Sequence, residues 1–171
     1  DWEEALRAFH ELGGDVVVKP LFGSRGMGSA RISDPDTATR VFKILAQYRQ
    51  VCYVQEYMPH RGRDIRAFVV GDEAVASMYR VAEGWKTNVS QGAVPVQLSL
   101  GRELEGLAVG AADALGCEIA GADIMETSGG PVLLEINSQP GWKGLQSVTD
   151  MNIADAIVDN ILERVMAGES A

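Results

Sequence analysis

Gly121-Ala122-Asp123-Ile124-Met125-Glu126 and Val132-Leu133-Leu134-Glu135-Ile136-Asn137, joined through Ser128-Gly129-Gly130-Pro131, read as two strands and a tight turn. With the turn centred near position 129, Asp123 and Glu135 lie six residues to either side. They are therefore expected to be approximate cross-strand neighbours. Side chains alternate along a strand, so Asn137 shares a face with Glu135 while Ile136 points away. Two carboxylates and a carboxamide on one patch suit a hard cation such as Mg²⁺, which takes a few protein oxygens plus water and phosphate oxygens. The plainer alternative is a pair of acidic side chains solvated on an exposed sheet face. Ile124, Leu133, Leu134 and Ile136 around them favour the cation.

Upstream, Asp64 to Val70 and Ala74 to Val81 form a second hairpin about Gly71-Asp72-Glu73. Arg66 and Arg80 are roughly symmetric about its turn. Two adjacent arginines repel unless an anion lies between them, although solvent-facing arginines would account for the pattern as well. Lys86-Thr87-Asn88 just beyond adds a cation and two polar side chains. Trp85 and Trp142 flank these motifs, with packing as the default role and substrate contact as the alternative. Gly23-Ser24-Arg25-Gly26-Met27-Gly28 follows a strand ending in Lys19-Pro20. Glycines there permit positive φ, so backbone amides can face phosphate oxygens, and Lys19 can act as a point charge on them. An ordinary mobile turn is the competing reading. The run lacks the P-loop pattern, and the strand that follows it excludes the dinucleotide-binding arrangement.

Helices are expected over Glu3 to Leu12, from Ser33-Asp34-Pro35 to about Tyr48, Arg102 to Leu115, and Asn152 to about Met166, the last capped by Asp150 or Asn152. Strands are expected over Val16 to Lys19, Ser29 to Ile32 and Val51 to Tyr57, and Ala82 to Pro95 is expected to be an extended loop. Consecutive hairpins flanked by helices make an α+β fold with mostly antiparallel sheets.

With 171 residues, 46% of them hydrophobic, the chain can bury a sizeable core in one domain or two small lobes. The net charge of −9 argues against nucleic acid as the main partner, since phosphate neutralisation dominates that affinity. Residues 1–86 hold 12 basic and 12 acidic residues, whereas residues 87–171 hold 3 basic and 12 acidic. A phosphate-facing part and a cation-holding part would divide charge this way, as would solvated acidic helix faces. No apolar run is long enough to span a bilayer, and the acidic, amphipathic N-terminus does not resemble a signal peptide. Cys52 and Cys117 are expected to be buried free thiols in a reducing compartment. His10 and His60, without ligand spacing, are expected at the surface.

Taken in order, VVVKPLFGSRGMGSARI, YVQEYM, GRDIRAFVVGDEAVASMYR, EGWKTNVSQGA, GADIME, PVLLEINSQPG and the closing helix resemble the ATP-grasp superfamily. The specific resemblance is to its RimK-like branch, the glutamate ligases that modify ribosomal protein S6. It implies an ATP-grasp fold with nucleotide bound between two lobes: a smaller one over residues 1–60 with the glycine-rich loop, and a larger one over 61–171 with the metal site. It also implies that the N-terminal domain of the full protein and the start of the ATP-binding lobe are absent from this stretch.

By the same resemblance Lys19 contacts the α- and β-phosphates, and the loop containing Gly23, Ser24, Gly26 and Gly28 closes over them. Gln55, Glu56, Tyr57 and Met58 form the adenine-side hinge, and Asp64 reaches the ribose or its surroundings. Lys86, Thr87 and Asn88 line the γ-phosphate side. Asp123, Glu135 and Asn137 hold two Mg²⁺ ions, with Mn²⁺ as a substitute. Arg80, with Lys86, stabilises charge on the transferred phosphoryl group or acyl intermediate. The implied enzyme is a cytoplasmic carboxylate–amine ligase acting through an acyl phosphate. Its partners would be ATP, an amino acid such as glutamate, and a carboxylate-bearing peptide or cofactor acceptor, in a homo-oligomer with neither nucleic acid nor membrane. The alternatives are a ligase making a dipeptide, an amino-group carrier conjugate or a pterin-type cofactor tail, and a nucleotide-binding module that has lost catalysis. Two positions depart from the branch: Lys86 stands where arginine is common, and Lys143 stands where an acidic residue is common.

Overall fold

The computed structural model describes residues 1–22 and 26–168. The chain forms two compact units, Asp1–Pro59 and His60–Ala171. In the first, β1 (Val16–Pro20) is the centre of a three-stranded antiparallel sheet, between β2 (Ala30–Ile32) and β3 (Cys52–Glu56). Helices α1 (Trp2–Glu11) and α2 (Pro35–Gln47) pack on it, burying Phe9 and Phe42 with Val16, Val18, Ile32 and Ala38. Both helices start where local chemistry dictates. Asp1 and Glu4 form a capping box on α1, and Asp34 accepts from the Thr37 amide ahead of Pro35 in α2.

The second unit is a five-stranded antiparallel sheet in the order β6-β5-β4-β7-β8. Its strands are β4 (Arg63–Val70), β5 (Glu73–Val81), β6 (Val94–Gln97), β7 (Ile119–Thr127) and β8 (Gly130–Asn137). Helix α3 (Arg102–Ala114) covers one face, where Ala108 and Ala112 meet Ile65, Ala67, Val69, Ala120, Ala122 and Ile124. The opposite face carries Phe68, Val70, Ala76 and Met78. It is covered by Leu145 of the short helix α4 (Lys143–Gln146) and Ile153 of α5 (Ile153–Ala167). Asn152 caps α5, accepting from the Ala154 and Asp155 amides. Because strand residues alternate, Asp64, Arg66, Arg80 and Asp123 share this second face with Phe68 and Met78, so polar and apolar side chains divide it end to end.

Several local expectations change. The stretch from 82 to 95 is not loop throughout: Val89–Gln91 is a 3₁₀ turn and Val94 begins β6. Pro95 masks that strand in the sequence, and it is tolerated because β6 is an edge. Helix α4 has no sequence signal of its own. Cys52 and Cys117 are free but half-buried rather than buried. His60 is only partly exposed, with its ring Nε2 3.1 Å from the Trp85 carbonyl. No helix among the described residues is long and apolar enough to cross a membrane.

Candidate functional site

Asp123 and Glu135 face each other across β7 and β8. The route to that pairing is indirect. From the turn, Thr127 pairs with Gly130 and Ile124 with Leu133, a register that would set Leu134 opposite Asp123. A bulge between Asp123 and Ile124 absorbs Leu134 and brings Glu135 opposite Asp123. Asn137 follows on the same face, and its Nδ2 donates to Glu135 Oε1 at 3.2 Å.

Asp123 is buried, at 3% exposure, in a charge cluster. Arg80 Nη2 lies 2.9 Å from Asp123 Oδ2 and Arg66 Nε lies 2.9 Å from Oδ1. Of the two readings left open for Arg66 and Arg80, an anion between them or solvent exposure, the structure shows the first, and the anion is the protein's own Asp123. The two arginines differ in how they are held. Arg80 sits opposite Asp64 and donates through Nε and Nη2 to its Oδ1 and Oδ2 at 2.7 and 2.5 Å. Thr87 Oγ1 donates to the same Asp64 Oδ2 at 2.6 Å. Arg66 sits opposite Asp123, but its Nε–H is not aimed well enough at Oδ1 for a hydrogen bond. Asp123 Oδ1 and Arg66 Nη1 are both buried without a hydrogen-bond partner.

Burial pushes the Asp123 carboxyl up to about 6; the charges of Arg80 and Arg66 oppose this, while Asp64 and Glu135 add to it. Burial alone would lower the Arg80 pKa, but its hydrogen bonds to Asp64 and the charges of Asp123 and Asp64 hold it above its ordinary value.

The donor set fits a divalent cation. Among the described residues no group of three or more His, Cys, Asp or Glu side chains forms a cage. Two carboxylates and a carboxamide instead leave positions open for water and phosphate oxygens, as Mg²⁺ requires. The buried Oδ1 of Asp123 accepts no hydrogen bond, although the Arg66 guanidinium is ion-paired to it at 2.9 Å, so its hydrogen-bonding capacity is not filled.

Of the other expected site residues, Thr87 is buried against Asp64, and Lys86 Nζ lies 5.1 Å from the centroid of the Trp85 ring. Asn88 precedes the 3₁₀ turn, and its carbonyl accepts from the Gln91 and Ala93 amides. Both oxygens of Asp64 are engaged within the cluster. In the first unit, Lys19 pairs across the sheet with Tyr53, and Gln55 and Glu56 end β3. Tyr57 follows with the Arg31 guanidinium 3.5 Å from its ring centroid, and half-buried Met58 comes next. Gly26 and Gly28 take positive φ, at 68° and 78°. Gly23 and Ser24 lie outside the described residues.

The sequence reading missed Gly121 and Pro140. A Cβ on Gly121 would overlap Arg66 Nη1 and come 2.9 Å from Pro140 Cβ. Only glycine there leaves room for the guanidinium against the β7 backbone, and a glycine inside a strand was the available signal. Beyond Pro140, an open surface hollow of about 610 Å³ is lined by Gly141, Trp142, Lys143, Gln146 and Ser147. Trp142 packs edge-on to buried Phe68, with centroids 5.9 Å apart, so this hollow adjoins the face that carries the charge cluster.

The chain is similar in sequence and in fold to known proteins. The chain is 42% identical over 158 residues to the tetrahydromethanopterin:alpha-L-glutamate ligase of Methanocaldococcus jannaschii, covering 88% of this chain and 54% of that protein. It is 39% identical over 154 residues to the same enzyme of Methanococcus maripaludis, covering 86% of this chain and 52% of that protein. It therefore spans about half the length of these curated relatives. In fold it is similar to the ATP-grasp ligase PsnB, solved with a phosphomimetic variant of its minimal precursor, Mg and ADP. That match has a TM-score of 0.74 at 22% identity, covering 96% of this chain and 51% of PsnB. A model of the RimK-like ATP-grasp domain matches residues 3–161, and the chain belongs to that family.

Proposed function

We propose that this chain carries the nucleotide- and metal-binding part of an ATP- and Mg²⁺-dependent ligase that joins an amino acid such as glutamate to a carboxylate acceptor. The observation that carries the reading is the convergence of Asp123, Glu135 and Asn137 on one sheet face beside Arg66 and Arg80. In the reaction, an acceptor carboxylate oxygen attacks the γ-phosphorus of ATP, the bond to the β-phosphate oxygen breaks, and an acyl phosphate and ADP result. The amine then attacks the acyl carbon and phosphate departs. Up to two Mg²⁺ ions (or Mn²⁺) at Asp123, Glu135 and Asn137 supply charge neutralisation for the phosphates.

The protein's share is positioning and electrostatics. Asp64 holds Arg80 rigid, so its positive charge costs no reorganisation when negative charge develops nearby. Lys86 and Asn88 follow as polar contacts for the γ-phosphate side. In the first unit Lys19, the glycines Gly23, Gly26 and Gly28, and Ser24 serve the phosphates, and Gln55 to Met58 serve the base. Lys143 beside the hollow is suited to a carboxylate on the amino acid or acceptor. An acceptor of the pterin-cofactor kind is favoured over a peptide, because two relatives at 42% and 39% identity are named for tetrahydromethanopterin. Consumption of ATP and the half-buried free thiols suit a cytoplasmic setting.

Calorimetric titration of ATP with and without Mg²⁺, repeated on Glu135→Ala, tests the reading. Binding that needs Mg²⁺ and collapses in the variant supports it. ATP binding that is indifferent to both Mg²⁺ and the substitution overturns it.

A further inference from the structure

Arg80 and Arg66 grip one oxygen each of the same buried carboxylate, but they are not equivalent. Arg80 has a second anchor: its two hydrogen bonds to Asp64 fix it whatever Asp123 does. Arg66 has Asp123 as its ion-pair partner and is otherwise held by shape. Its guanidinium lies on the Cβ-less backbone of Gly121, its Nη1 is buried without a hydrogen-bond partner, and Pro140 crowds the same glycine. Gly121 stands opposite Phe68 and Asp123 stands opposite Arg66, so these contacts follow from the register of β4 against β7. The contact between Arg66 Nε and Asp123 Oδ1 is ionic, at 2.9 Å, without a hydrogen bond. Arg66 thus orients Oδ1 without filling its hydrogen-bonding capacity.

We propose that Arg66 is a positioning residue: seated on Gly121 beside Pro140, it holds the Asp123 carboxylate turned so that Oδ1 can also serve a cation shared with Glu135 and Asn137. The proposal rests on the metal-site reading above. Without Arg66, Asp123 can rotate about its Cβ–Cγ bond and give both oxygens to Arg80, withdrawing Oδ1 from Glu135. Gly121 belongs to the same device. A methyl there leaves every charge in place but evicts the guanidinium from its seat.

The test is Mn²⁺ binding to the chain in the presence of ADP, read from the electron paramagnetic resonance signal of free Mn²⁺, with circular dichroism melts as the folding control. Arg66→Met is expected to weaken Mn²⁺ binding about 10- to 100-fold, the usual effect of removing a group that orients a metal ligand. Arg66→Lys is expected to fall between Arg66→Met and the wild type, because it restores charge with a shorter reach. Gly121→Ala is expected to weaken binding as Arg66→Met does, although it removes no charge. ADP affinity without metal should stay within about twofold of wild type in all three, as the change concerns a metal ligand and not the nucleotide.

Mn²⁺ affinity at or above the wild-type value in folded Gly121→Ala or Arg66→Met overturns the proposal, because Arg66 would then only compete with the cation. If Arg66→Met does not fold, Gly121→Ala and Arg66→Lys decide the matter by the same criterion. Wild-type protein that binds no Mn²⁺ with ADP overturns the metal-site reading itself, a result distinct from normal wild-type binding with unaffected variants.

Discussion

Asp64 and Arg80 face each other across β4 and β5 and meet through two hydrogen bonds, of 2.7 and 2.5 Å, in a site where neither is more than 4% exposed. Breaking one member of such a buried pair leaves the other charge uncompensated. Asp64→Ala is expected to destabilise the second unit by about 3–5 kcal/mol, and Arg80→Met by less, since removing the cation lets a carboxyl neutralise by protonation. Urea unfolding followed by circular dichroism checks both. Equal, small losses would mean the pair is not desolvated in solution.

Glu135 is exposed and its neighbour across the sheet, Asp123, is buried. Substitutions at the two positions should therefore separate binding from stability. Glu135→Gln is expected to leave the melting temperature within a few degrees and to weaken Mg²⁺-dependent ATP binding by at least roughly tenfold, as replacing a charged carboxylate ligand with a neutral amide does. Asp123→Asn should weaken the binding too, and its melting temperature should change less with pH than that of the wild type. Calorimetry and thermal melts on the same preparations make the comparison.

The pH dependence has a definite sign. The Asp123 carboxyl titrates near 6 in the folded protein, above its ordinary value of 3.8. Between about pH 4 and 6 the folded state keeps a proton that the unfolded state has released. Stability contributed by this group is therefore present at low pH and lost as pH rises through that window, with a slope of up to about 1.4 kcal/mol per pH unit. Asp123→Asn should remove that part of the slope in stability curves measured from pH 4 to 7. Cation binding runs the other way, because it needs the carboxylate, and Mn²⁺ affinity should rise between pH 5 and 7.

Lys143 borders the hollow after Pro140 and carries one of the 3 basic side chains in the acidic half of the chain. In the complete enzyme, Lys143→Ala is expected to raise the KM for the carboxylate-bearing substrate roughly tenfold, as one charge-assisted contact would. The KM for ATP should not change. Steady-state kinetics with each substrate varied in turn distinguishes this from general damage, which would move both.

Phe68 is fully buried and supports Trp142 edge-on. Phe68→Ala is expected to cost about 3–5 kcal/mol by leaving a cavity under the Gly141 to Ser147 turn. Trp142→Phe should cost less, because Trp142 is 38% exposed. Chemical denaturation measures both.

Much of this protein is written locally. Asp1 with Glu4, Asp34 with Pro35, and Asn152 are chemical start signals that need no tertiary partner, so the helix starts are legible to within a residue or two. Period-two alternation along 132–137 puts Glu135 and Asn137 on one face by strand geometry alone. What the sequence could not specify is anything set by register between strands distant in the chain.

The pairing of Asp123 with Glu135 depends on the bulge that removes Leu134 from the ladder. Counting from the turn reaches it because an assumed centre near 129 offsets the missing bulge. Arg66 and Arg80 are expected as neighbours from one hairpin, yet they meet only because β7 pairs with β4 and carries Asp123 between them. Edge strand β6 is hidden by its own proline, and the role of Gly121 becomes visible only when an arginine from another strand lies on it. The sequence by itself determined which residues alternate, cap and turn, since those are interactions over a few residues. The tertiary structure alone decided which charges meet, because burial and cross-strand contact depend on packing between segments far apart in the chain.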